Sequence, residues 1–143
     1  MKAPSAYFDA SVLVSLFVVD SFADRAQVYM RDHQPIPIVS DFAAAEFASA
    51  VGRLVRTELL DLEHAFPIFA AFDGWRSQSA LDCAVETSDV AAAGVLLRRL
   101  DAPLRVPAAL HLAMALRMGV ALATFDARLA DIALRNGVDI APA

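Results

Sequence analysis

Short apolar runs alternate along this chain with longer stretches that are apolar on one side only. Ala6–Phe8 reads as a short buried strand. Ser11–Val18 is apolar enough to be strand or helix, but Asp9-Ala10-Ser11 supplies N-cap chemistry, which favours strand followed by helix. Phe22–Asp32 has the pattern of a second helix, closed by Gln34-Pro35. Ile36–Val39 follows as a strand, and Ser40-Asp41 caps a helix over Asp41–Arg56. In that helix Ala43, Phe47, Ala50, Val51 and Leu54 make one apolar stripe.

Asp61–Trp75 is amphipathic, and Ala80–Glu86 has strand character. Thr87-Ser88-Asp89 is expected to cap a helix running to about Leu100. Asp101-Ala102-Pro103 breaks the chain, and Pro107 suits the first turn of a helix ending before Gly119. Val120–Thr124 is a strand, Asp126 caps a helix to Arg135, Asn136-Gly137 is a turn, and Val138–Ile140 is a last short strand. Strands alternating with helices predict a parallel sheet covered on both faces, hence an α/β fold.

Length sets the scale: 143 residues with no repeat or linker predict a single domain over 1–143. The apolar fraction, 58%, exceeds the usual half, and much of the excess is alanine. So apolar a small domain is expected to cover surface in a homodimer or partner complex. The net charge of −5 excludes a chain-wide basic face for duplex DNA but not a local phosphate site. One cysteine, Cys83, excludes an internal disulfide, fits a reducing cytosol and reads as a small core residue. No apolar run approaches the length of a membrane span and no leader pattern opens the chain, so the expected location is the cytoplasm with no membrane partner.

Three carboxylates then change the picture. Asp9 and Asp126 each follow a predicted strand, at the end of an open α/β sheet where ligands bind. Glu46 borders the apolar stripe of its helix, with Arg53 two turns on, about 10 Å along the axis. Converging carboxylates repel by roughly 4 kcal/mol per close pair at an effective dielectric near 20, and a divalent cation would relieve that. Each acid also has a bland reading: Asp9 and Asp126 as helix caps, Glu46 as a solvated side chain held by an arginine. Ser11 and Thr124 could orient a ligand or water, or make turn hydrogen bonds. His33, His64 and His111 show no metal spacing, His111 reading as a hydrogen-bonded helix residue. No glycine-rich phosphate loop or serine-hydrolase elbow occurs. A receiver- or dehalogenase-type phosphotransfer domain fails because no second acid accompanies Asp9 and the sole lysine is Lys2.

Four segments in order, Phe8-Asp9-Ala10-Ser11-Val12-Leu13-Val14, Ser40–Ala50, Ala109-Leu110-His111-Leu112-Ala113-Met114-Ala115 and Thr124-Phe125-Asp126-Ala127-Arg128-Leu129, resemble the PIN-domain family and, within it, VapC-type toxins of toxin–antitoxin pairs. The resemblance implies a three-layer α/β/α sandwich with a central parallel sheet of four to five strands. It also implies a Mg²⁺- or Mn²⁺-dependent endoribonuclease, with RNA as substrate and a cognate antitoxin as inhibitor. By position, Asp9, Glu46 and Asp126 match the family's catalytic and metal-binding acids, and Arg53, Ser11 and Thr124 are candidate substrate contacts. Ala108 stands where the family usually has Asp, so the expected activity is weakened or lost. The alternative is a catalytically inert PIN-fold module that still binds a partner. The three acids are expected to place their carboxylates within several ångströms of one another at one end of the sheet, with Ala108 on the rim of the same pocket.

Overall fold

The computed structural model describes residues 4–143. Its centre is a sheet of four parallel strands: β1 (Ser5–Phe8), β2 (Ile36–Ser40), β3 (Leu81–Cys83) and β4 (Ala121–Ala123), in the order β3-β2-β1-β4. Seven helices are found among the described residues: α1 (Ala10–Phe17), α2 (Ala23–His33), α3 (Asp41–Arg56), α4 (Leu62–Ser79), α5 (Thr87–Arg98), α6 (Val106–Met118) and α7 (Ala127–Arg135).

Strand alternation builds the layers, because successive side chains point to opposite faces. Ala6, Phe8, Val39 and Ala123 face a core completed by Val12 and Leu13 of α1, Tyr29 of α2, Phe47 and Val51 of α3 and Phe72 of α4. Tyr7, Ile38 and Leu122 face the other way, onto Ala93 and Leu96 of α5, the alanine-rich α6 and Leu129 and Ile132 of α7. The result is an α/β/α sandwich. Alanine on α6 has a packing reason: Ala109, Ala113 and Ala115 are all buried, and small side chains let the helix lie close to the sheet.

Topology fixes where a ligand can sit. From β1 the chain steps outward to β2 and β3, then returns to place β4 on the other side of β1. The register pairs Tyr7 with Leu122 and Phe8 with Ala123, and the Asp9 amide donates to the Ala123 carbonyl at 3.1 Å. The carboxyl ends of β1 and β4 therefore flank the point where strand order reverses, and a crevice opens there.

Three expectations need correction. Val138–Ile140 does not extend into a strand; a single Leu122–Ile140 bridge forms, flanked by the Leu122 amide on Asp139 O and the Ala141 amide on Leu122 O, each at 2.9 Å. Helix α5 is capped by Glu86 rather than by Thr87–Asp89, with Asp89 in the third helical position returning a bond to the Glu86 amide. Helix α4 continues four residues beyond Trp75, because Arg76 in that last turn reaches Asp41 at 2.9 Å and ties the helix to the start of α3. Cys83 is buried, as expected. No helix of the described residues is long and apolar enough to cross a membrane.

Candidate active site

The loop after β1 turns at once into α1, and Asp9 sits at the turn. Its Oδ1 accepts from the backbone amides of Ser11 (3.0 Å) and Val12 (3.3 Å), so the capping reading is correct. The cap does not exhaust it. Asp9 is only 4% exposed, and Ser11 Oγ donates to Oδ1 at 2.6 Å and Thr124 Oγ1 to Oδ2 at 2.5 Å. Burial pushes the Asp9 carboxyl above its ordinary value, while these hydrogen bonds and the nearby His111 pull the other way and lose. Among the described residues Asp9 makes no ion pair.

Asp126 caps α7 in the same manner, Oδ1 accepting from the Arg128 (2.9 Å) and Leu129 (3.2 Å) amides, but it is exposed. Glu46 projects from α3 and pairs with His111 Nε2. Behind His111 runs a buried line of polar groups. Tyr7 Oη lies 2.7 Å from His111 Nδ1 and 2.7 Å from Ser40 Oγ, which itself accepts from the Ala43 amide at 3.0 Å. Because the carboxylate can only accept, the simplest polarity runs one way: Ser40 donates to Tyr7, Tyr7 to His111, and His111 to Glu46. Tyr7 is held neutral in this role, its phenol pushed well above the ordinary range by burial.

Asp9, Glu46 and Asp126 all line one cavity of about 310 Å³ at the β1/β4 end of the sheet, and Ala108 lines it as well. The expected convergence of the three carboxylates is not met beyond this shared lining: among the described residues no three histidine, cysteine or acidic side chains stand close enough together to form a metal cage, Glu46 being drawn to His111 and Asp126 to its cap. Ser11 lines the cavity while its hydroxyl is turned to Asp9. Thr124, expected to contact substrate, is instead buried, donating to Asp9 and accepting from the Asp126 amide at 3.0 Å. It holds the two acids' backbone and side chain together. Arg53 lies outside this cavity, in an adjoining hollow that it shares with Glu46. Sequence reasoning gave Ser40 only its helix-capping role, which it has, and passed over Tyr7 as well as Arg105 and Arg128, exposed cations that line the acidic cavity. Tyr7 carried a usable signal, since a polar ring inside an apolar strand needs a buried partner. The two arginines carried none, because an exposed arginine near a helix start is ordinary.

The sequence profile of the PIN domain family matches residues 6–134. The chain belongs to the PIN domain family. Among solved structures it has the fold of Mycobacterium tuberculosis VapC20, described as a sarcin–ricin-loop-cleaving toxin, with TM-score 0.72 and 17% identity over 90% of this chain and 95% of that one. A toxin–antitoxin complex from Klebsiella pneumoniae matches with TM-score 0.64 and 21% identity, covering 97% and 98% of the two chains. VapBC2 from Rickettsia felis, solved bound to a DNA fragment of its own promoter, matches with TM-score 0.63 and 10% identity over 94% and 96%. No curated protein sequence matches the chain. At these identities the likeness is one of PIN fold, and any chemistry must come from the residues in the cavity.

Proposed function

We propose that this PIN domain is an endoribonuclease of the VapC toxin type, dependent on Mg²⁺ or Mn²⁺ and restrained by an antitoxin. The observation that carries the reading is Asp9: a buried carboxylate with no cation of its own, at the strand-reversal crevice, sharing its cavity with Glu46 and Asp126. Burying a charge without a partner costs several kcal/mol, and folds keep such groups where a ligand completes them.

The residues suit a hydrated cation that leans on one or two carboxylates plus a substrate phosphate, not a closed cage. Asp9, with Asp126 or Glu46 as a second carboxylate, would hold it, and it would supply charge neutralisation and a more acidic water for attack on the phosphodiester. The chain's own groups do the rest. Ser11 and Thr124 fix both Asp9 oxygens, so that carboxylate is oriented before any ligand arrives. His111, backed by Tyr7 and Ser40, sets the direction of Glu46. Arg105 and Arg128 offer guanidinium groups to backbone phosphates at the mouth of an otherwise acidic cavity.

Ala108 favours a second reading, an inert PIN-fold module that only binds its partner. It lies one helical turn before His111, lines the same cavity and contributes no oxygen. The deciding experiment is Ala108→Asp assayed on RNA with Mg²⁺ or Mn²⁺. The nuclease reading expects the variant to gain activity and a larger cation-induced rise in melting temperature, and both gains to vanish when Glu46→Ala is added. If neither property changes, Ala108 is not a ligand position. A second copy and an antitoxin are the proposed protein partners, in line with exposed Leu59, Leu62 and Phe66 at the α3–α4 corner. Sedimentation as a monomer at micromolar concentration without partner would contradict the homodimer.

A further inference from the structure

Beside the acidic cavity lies a further hollow of about 420 Å³, and Glu46 and Asp126 line both. Its other wall carries Phe22, the residue before α2, and Phe125, the residue before Asp126. The two rings stack with centroids 4.8 Å apart and planes 9° from parallel. Arg25 lies against both, its Cζ 5.5 Å from the Phe22 centroid and 5.1 Å from that of Phe125. Neither ring is fully buried.

The pair is held from beneath. Asp20 Oδ1 accepts from the Phe22 amide at 2.9 Å, and its other oxygen accepts from Ser15 Oγ at 2.9 Å. The Phe125 amide donates to Ser11 Oγ at 2.9 Å, the same hydroxyl that orients Asp9. Arg25 is held by the Ala143 carbonyl at 2.9 Å. The aromatic ledge and the acid site are therefore one rigid piece.

We propose that this ledge is a nucleobase platform: an unpaired base next to the scissile phosphate stacks on Phe22, whose ring is braced by Phe125 and Arg25. The inference rests on the nuclease reading of the same site and names the side chains on which an unpaired base would rest. Bases inside a duplex already have both faces stacked, so only an unpaired one can use a protein ring. Two phenylalanines supply no hydrogen bonds, so the platform accepts any base. Sequence choice, where it exists, comes from elsewhere in the groove.

The test compares wild type with Phe22→Leu, which keeps apolar bulk but removes the ring face, and Phe22→Tyr, which keeps the face. Fluorescence anisotropy reads binding of a short labelled single-stranded oligoribonucleotide and of the same sequence closed in a hairpin stem, with and without Mg²⁺. A gel of the same samples reads cleavage. The expected result is a loss of about tenfold or more for Phe22→Leu on the single strand, near-wild-type binding for Phe22→Tyr, and weak binding of the stem by all three. Equal binding by Phe22→Leu and wild type overturns the platform. If RNA is then still cut, the nuclease reading survives without it. Ring-dependent binding with no cleavage, even in Ala108→Asp, keeps the platform and removes the nuclease. No RNA binding by wild type removes both.

Discussion

Two buried aspartates show how differently one fold treats the same charge. Asp89, in the first turn of α5, is 1% exposed, and Asp9, at the end of β1, is 4% exposed. Asp89 is met by the Arg117 guanidinium in a two-point contact, Nε to Oδ1 at 2.8 Å and Nη2 to Oδ2 at 3.0 Å, and it also accepts from the Glu86 amide at 2.9 Å. The arginine holds that carboxyl below its ordinary value despite burial. Asp9 is met by hydroxyls and amides only, and its carboxyl lies above the ordinary value. The chain has arginines enough to neutralise a buried carboxylate where cohesion is the purpose. Where it leaves one without, the missing charge is expected from outside.

The comparison breaks most visibly at Arg117. Arg117→Met should give the largest loss of stability of the three variants in denaturant unfolding at neutral pH, because Asp89 stays buried without its partner. The sign with pH follows from a depressed carboxyl. Its contribution is present above the ordinary aspartate value and is lost as pH falls through the folded value, so the cost of the variant should shrink in acid. A cost independent of pH would mean that Arg117 acts by packing alone.

Asp9→Asn should do the reverse. In metal-free buffer at neutral pH it should raise stability, on the order of 1 kcal/mol, as removal of strained site charges commonly does. A raised carboxyl makes the ionised form the costly one, so this advantage should be full at neutral pH and fade as pH falls through the folded value and wild type protonates. Thermal melts across that range check it, and a loss of stability at neutral pH would mean that the hydrogen bonds outweigh burial. An effect of similar size and opposite sign is expected at Ser11. Ser11→Ala removes the bond to Asp9 Oδ1 and the acceptor of the Phe125 amide, for about 1 kcal/mol. Its sharper signature should be weaker cation binding, because Asp9 then lacks one of its orienting donors.

Much of this was legible in the residues. The turn at Asp9 could be read as strand to helix because a cap residue interrupts apolar sequence, and the structure places strand Ser5–Phe8 and helix Ala10–Phe17 on either side of it. The Phe47 and Val51 positions were fixed by helical period, and both are buried. That Asp9 and Asp126 share a cavity followed from their places after parallel strands, which end on one side of the sheet, while Glu46 was read from its place beside the apolar stripe of α3. What could not be read was pairing at a distance. His111 and Glu46 are 65 positions apart and Arg117 and Asp89 are 28 apart, and no local pattern links either pair. Val138–Ile140 failed for a different reason: its apolar–polar–apolar alternation matches a strand, but only Ile140 forms a bridge.

The central claim is that the cavity of Asp9, Glu46 and Asp126 takes a divalent cation that the fold does not itself replace. Calorimetric titration of Mn²⁺ into metal-free protein tests it without reference to turnover. The account predicts saturable binding to wild type that is lost in Asp9→Asn, unchanged in Asp82→Asn on the far strand β3, and tighter in Ala108→Asp. Binding that survives Asp9→Asn undiminished, or no binding by wild type and Ala108→Asp alike, would contradict it.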